Sequence, residues 1–235
     1  MRMEVSDGAS AFALQLLDQF DHHISAKILW ESISEKLISQ EFPWGHTLDR
    51  KGFSPLHCIS YFGIAKVADT LIKMNRWDVN ETDGAGMTPL IWAARHGDEE
   101  VVKLLLRIKH IQLGRRDANS GRAAISWAAG NGHEGVVRLF LVPRFVNPGS
   151  IGGWWREAAR VVGVLFGRRY VNPDSSSNNG QTPFCWAAKN GHEGTVKLLV
   201  ERGVYPDTPD AEYKQTPLSL AAQYGHEGIV KLLLE

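Results

Sequence analysis

The stretch TPFCWAAKNGHEGTVKLLV, residues 182–200, reads as a helix, a turn and a second helix. Thr182 followed by Pro183 is a helix start: the hydroxyl can accept a hydrogen bond from an orphan N–H of the first turn, and proline occupies the position that needs no N–H. Ala187 and Ala188 give the first helix a thin side that lets another helix approach closely. Gly191 supplies the left-handed residue that ends it. Glu193 opens the second helix, where the helix dipole favours negative charge, and TVKLLV supplies the face to be buried. One hairpin of this kind cannot cover its own apolar side, so copies must stack.

Copies are present. The first half recurs as SPLHCISYFG from Ser54, TPLIWAARHG from Thr88, AAISWAAGNG from Ala123 and TPLSLAAQYG from Thr216; the second recurs as DEEVVKLLL from Asp98, HEGVVRLFL from His133 and HEGIVKLLL from His226. The starts are separated by 34, 35, 59 and 34 residues, and the long interval is one period plus 25. A fixed period of this length predicts an all-α solenoid of stacked helix–turn–helix units.

The pattern T-P-L-x-x-A-A…G-H-E…V-V-K-L-L-L resembles the ankyrin repeat over roughly residues 49–142 and 176–235, and the family's fold implies short β-turn fingers between the hairpins. The WAA-x-NGHEG-VVKLLLE wording is similar to arrays common in filamentous fungi, often downstream of NACHT-type NTPase modules, which this sequence does not contain. Some positions depart from the pattern. Ala123 and Ala124 replace Thr-Pro in the third repeat, losing a cap worth about 1 kcal/mol. Lys214 stands where the fifth turn prefers glycine, at a cost of ~1–2 kcal/mol if that position is left-handed. The histidine that the family carries after its Leu survives only as His57; Ile91, Ser126, Cys185 and Ser219 replace it.

The 25 surplus residues have a source in the chain itself. VVRLFLVPRFVNP from Val136 aligns with VVGVLFGRRYVNP from Val161. Residues 143–175 therefore read as a truncated repeat, its first helix shortened to IGGWWREAAR, or as a retained non-coding stretch or gene-model error. Coupling between neighbours is expected to be weakest there. Residues 1–45 do not repeat. Ala13, Leu17, Phe20, Ile24 and Ile28 make a helical stripe, either a cap over the first repeat or a linker to another domain. The expected division is thus 1–45, repeats 1–3 over 46–142, the degenerate unit over 143–175, and repeats 4–5 over 176–235.

Charge and motifs narrow the function. Lys plus Arg and Asp plus Glu are both 26, and this neutrality argues against direct nucleic-acid or membrane-surface binding. No stretch of 18 uncharged apolar residues or signal peptide is seen. The two cysteines, Cys58 and Cys185, suit a reducing compartment and read as buried small hydrophobes. A cytoplasmic location follows, with a nuclear one as the alternative. Gly130-Asn-Gly132-His-Glu-Gly135 spells a dinucleotide fingerprint, but it follows a helical segment rather than a strand. Asp21-His22-His23 spells a phosphoesterase tripeptide without a carboxylate cluster. His133, His192 and His226 recur once per repeat. Stacked helices lie roughly 8–10 Å apart and Zn–N bonds are about 2 Å, so these residues read as turn histidines bonded to backbone rather than as a shared metal site. Trp92, Trp127 and Trp186 share a slot with Leu220 and read as core; Trp154 and Trp155, if exposed, would mark a patch. No catalytic, cofactor-binding or metal residue is assigned, and the chain is not expected to be an enzyme.

Function on such a scaffold falls to exposed positions outside the period. One row is the fingers, with Arg50, Lys51, Phe53, Ala85, Met87, Ser120, Arg122, Asn179, Gln181, Tyr213 and Gln215. The other is the ends of the first helices, with Tyr61, Phe62, Arg95, His96, Asn131, Lys189, Asn190, Gln223 and Tyr224. Tyr and Arg are favoured hot-spot residues, and a concave strip of Tyr61, Arg95, Lys189 and Tyr224 is the expected binding surface. The resemblance implies a protein partner, bound without catalysis; the alternative is a targeting or regulatory fragment of a larger NACHT/NTPase-type signalling protein.

Overall fold

A computed structural model describes residues 54–75, 77–141 and 172–235. The described residues hold five helical hairpins: α1 (Pro55–Phe62) with α2 (Ala65–Met74), α3 (Pro89–His96) with α4 (Glu99–Leu106), α5 (Ala124–Gly130) with α6 (Glu134–Leu141), α7 (Pro183–Lys189) with α8 (Glu193–Glu201), and α9 (Pro217–Gln223) with α10 (Glu227–Leu234). The first helices stack α1 on α3 on α5 on α7 on α9, and the second helices stack α2 on α4 on α6 on α8 on α10. The strand-like pairing among the described residues is a single antiparallel bridge, Arg116 with Ala123. The fold is the expected all-α repeat solenoid.

Each hairpin starts as its sequence dictates. The hydroxyls of Thr88, Thr182 and Thr216 accept from the backbone N–H three residues on, at 3.2, 3.3 and 3.3 Å. Ala123 makes no such bond. In the first repeat Ser54 N–H donates to His57 Nδ1 at 3.0 Å, while His57 Nε2 lies 3.1 and 3.0 Å from the carbonyls of Glu81 and Met87. The one surviving family histidine thus ties repeat 1 to the finger of repeat 2.

The turn histidines do the same at the other end of the helices. Nε2 of His133, His192 and His226 lies 2.9 Å from the carbonyls of Arg95, Gly130 and Lys189 respectively, so each bonds backbone as expected, and the backbone belongs to the preceding repeat. This needs glycine below the ring. A Cβ built on Gly97, Gly132 or Gly191 would fall 2.6 Å from the following histidine.

The fingers form a second ladder. Backbone N–H groups of Ala118, Asn178 and Ala211 donate to the carbonyls of Ala85, Ser120 and Asn179, each at 2.9 Å. Gly86, Gly121 and Gly180 follow or flank these acceptors with positive φ, and Lys214 takes the same position with φ 54°.

Repeats 3 and 4 are continuous in space although 59 residues separate their starts. Helix α5 packs directly on α7. Asn178 and His192 repeat the bonds of the other junctions, and two more are present: Asn190 Nδ2 donates to Gly130 O at 2.6 Å and Arg202 Nη1 to Leu141 O at 3.0 Å. The bonds that join these two repeats come from the hairpin phrase itself, as at the other junctions. The N-terminal segment, Asp21-His22-His23, Arg50, Lys51, Phe53 and Trp154–Trp155 lie outside the described residues, as does most of the 143–175 unit.

Candidate interaction strip

The slot shared by Trp92, Trp127 and Trp186 lies on the first helices, so stacking the repeats brings these rings into a row. Cations interleave with them. The Arg95 guanidinium carbon sits 5.3 Å from the Trp92 ring centre and 4.6 Å from that of Trp127. Arg122 lies between Trp127 at 4.0 Å and Trp186 at 3.9 Å. Lys189 Nζ lies between Trp186 at 5.4 Å and Tyr224 at 5.6 Å. At the other end Tyr61 packs edge-on against Phe62, Trp92 and His96, and His96 stacks on Trp92. Alternating π faces and cations attract one another, by roughly 0.5–2 kcal/mol per contact depending on solvent access. The result is one continuous ladder from Tyr61 to Tyr224 across all five repeats.

The strip of Tyr61, Arg95, Lys189 and Tyr224 read from the sequence is therefore one physical row. Phe62 is 40% exposed, Tyr224 50% and Tyr213 68%; His96, Asn190 and Gln223 are exposed as well. Three finger residues differ from expectation. Met87, Arg122 and Gln181 are buried, not exposed. Each of these residues stands just before the start of its hairpin and is engaged by a neighbouring side chain or carbonyl: Met87 Sδ lies 3.9 Å from Arg95 Nη1, Arg122 Nη2 donates to Ser126 O at 2.8 Å, and Gln181 Nε2 reaches Asp210 of the next repeat at 3.5 Å. Arg50 lies outside the described residues.

Beneath the rings sits a set of acids that the sequence reading missed. Asp83 accepts from the backbone N–H groups of Ala85 and Met87 and from Trp92 Nε1 at 2.8 Å. Asp117 accepts from the N–H groups of Asn119, Ser120 and Arg122, from Ser120 Oγ, and from Trp127 Nε1 at 3.2 Å. The available signal was an Asp nine residues ahead of Trp92 and ten ahead of Trp127. In repeat 4 the matching residue is Ser177, and both Ser177 Oγ and Trp186 Nε1 are buried without a hydrogen-bond partner.

Electrostatics follow the burial. Although His96 keeps an exposed edge, the Tyr61 and Trp92 rings packed on its imidazole desolvate it and, with Arg95 and His133, pull it down to about 4, so the ring stacks as the neutral form at neutral pH. Burial lowers Arg122 to about 10 and lowers Arg95 as well; Asp117 opposes both shifts. Cys58 is pushed up to about 12 by burial, so its thiolate is not accessible near neutral pH. Among the described residues no three His, Cys, Asp or Glu side chains are placed to hold a metal ion, and no helix is long and apolar enough to cross a membrane.

Comparison with known families matches the chain to "Ankyrin repeats (3 copies)" over residues 23–117, 56–150 and 157–235. No curated protein matches it.

Proposed function

The chain belongs to the ankyrin-repeat family, whose members are generally protein–protein interaction modules, and on that premise we propose that it is a non-catalytic scaffold holding a protein partner against the strip from Tyr61 to Tyr224. The observation that carries this reading is the ladder itself. Its rings and cations are fixed by their neighbours before any partner arrives, so little side-chain entropy remains to be lost on binding. Tyr, Trp and Arg are also the residues that dominate measured interfaces. The exposed Phe62 and Tyr224 would provide the anchors, and the polar row of Asn190 and Gln223 the rim.

The test is affinity capture from the native cell extract with the wild type beside Phe62→Ser/Lys189→Gln/Tyr224→Ser, with circular dichroism on both. A protein retained by the wild type alone, with both chains equally helical, supports the reading. An identical set retained by both would sink it.

A further inference from the structure

Taking the strip as the docking surface, we propose that the segment it receives is acidic, an Asp- or Glu-bearing stretch lying across repeats 3 and 4. Arg95 and Lys189 edge the ladder half-buried, Arg122 lies buried between Trp127 and Trp186, and among the described residues none of the three forms an ion pair with a carboxylate. The acids that act on Arg95 are Asp117 and Asp83. Both are buried, and their oxygens are committed to finger N–H groups and indoles. The carboxylates are thus committed within the fingers, while the cations of the ladder have no ion-pair partner among the described residues.

Compensation fails at one place. Repeat 4 has Ser177 where repeats 2 and 3 have Asp83 and Asp117. Trp186 Nε1 is left without an acceptor, and Arg122, which covers that ring at 3.9 Å, has its own Nε buried and unpartnered. A buried donor without a partner, beside a cation held back from water, is a site where an arriving carboxylate gains more than it would in solvent. The chain as a whole is neutral, so this excess is local to the strip and gives a partner both direction and register.

The probe is a fluorescein-labelled peptide of alternating Glu and Ala, with Gln/Ala and Lys/Ala peptides as controls, followed by fluorescence anisotropy over a salt titration. The Glu peptide is expected to bind, weakening as salt rises, and the controls are not. Lys189→Gln should lower the affinity about tenfold. Ser177→Asp restores the missing carboxylate within the chain, so it should raise Tm while weakening the Glu peptide by a similar factor. Ser177→Asn offers Trp186 an acceptor without charge; it should raise Tm and weaken the Glu peptide less than Ser177→Asp does. The proposal is overturned if Ser177→Asp raises Tm without altering peptide affinity, or if the Gln peptide binds as well as the Glu peptide. Either of these results leaves the strip free to hold a protein of other chemistry, whereas extract capture insensitive to Phe62, Lys189 and Tyr224 defeats the docking surface itself.

Discussion

Gly132 and Gly225 end their helices with nearly the same φ, 73° and 77°, yet different things face them. A Cβ on Gly132 would meet the His192 ring at 2.6 Å, while one on Gly225 would meet nothing within 4 Å. Gly225→Ala should therefore cost only the left-handed penalty, ~1–2 kcal/mol. Gly132→Ala should cost clearly more, because the His192 bond to Gly130 must also give way. Urea unfolding of the two variants measures the difference, and equal losses would show that the rings yield freely. Histidines also set a pH response. Burial lowers His57, His96 and His133 below their ordinary 6.5, with His96 at about 4. The unfolded chain then takes up these protons first, so stability is full above pH 6.5 and declines as pH falls from there toward about 4. Urea midpoints compared at neutral pH and about pH 5 should show that loss; a flat profile through the window would contradict it.

At the scale of the helix, the third hairpin is the one that starts without a cap. Ala123 is as buried as Thr88 and Thr182, so the pocket for a threonine side chain exists in the neighbouring repeats. Ala123→Thr should accept from Ser126 N–H and stabilise by about 1 kcal/mol, read as a rise in Tm; no rise would mean the hydroxyl finds another bond. This element was legible in the sequence because Thr-Pro, Ala-Ala and Gly each act on the backbone within a few residues. The strip was legible in part. Tyr61, Arg95 and Lys189 hold one position near the ends of their first helices and Tyr224 lies one residue beyond it, so the repeat places them close to one row. The burial of Met87, Arg122 and Gln181 was not legible, since it depends on how each finger side chain folds back onto the helices and rings around it. Nor was the role of the tryptophans: a periodic aromatic looks like core whether its outer face meets carbon or a guanidinium.

On the scale of the whole molecule, two neighbouring repeats are far apart in sequence. The 41 residues between Leu141 and Pro183 join two hairpins that pack directly on each other. Deleting residues 149–173, which leaves the first Val-Asn-Pro in place of the second, shortens that connection to 16. Loop-closure entropy alone then predicts a gain of just under ~1 kcal/mol. Thermal unfolding followed by circular dichroism should show an intact, slightly more stable array; collapse of the fold would mean that the excised stretch holds the two halves together.

A unit of such a stack can be duplicated in tandem only if its trailing edge accepts its own leading edge. Gly86 and Gly180 meet that condition, because a Cβ there would stand 2.6 and 2.3 Å from the backbone nitrogen of the next finger. Lys214 carries that Cβ already, in the same left-handed turn. The fifth repeat can therefore follow others but cannot follow itself. A chain lengthened by one more copy of its own fifth repeat should gain thermal stability only after Lys214→Gly, and an equal gain with lysine in place would show that the finger ladder is dispensable to the growth of the array.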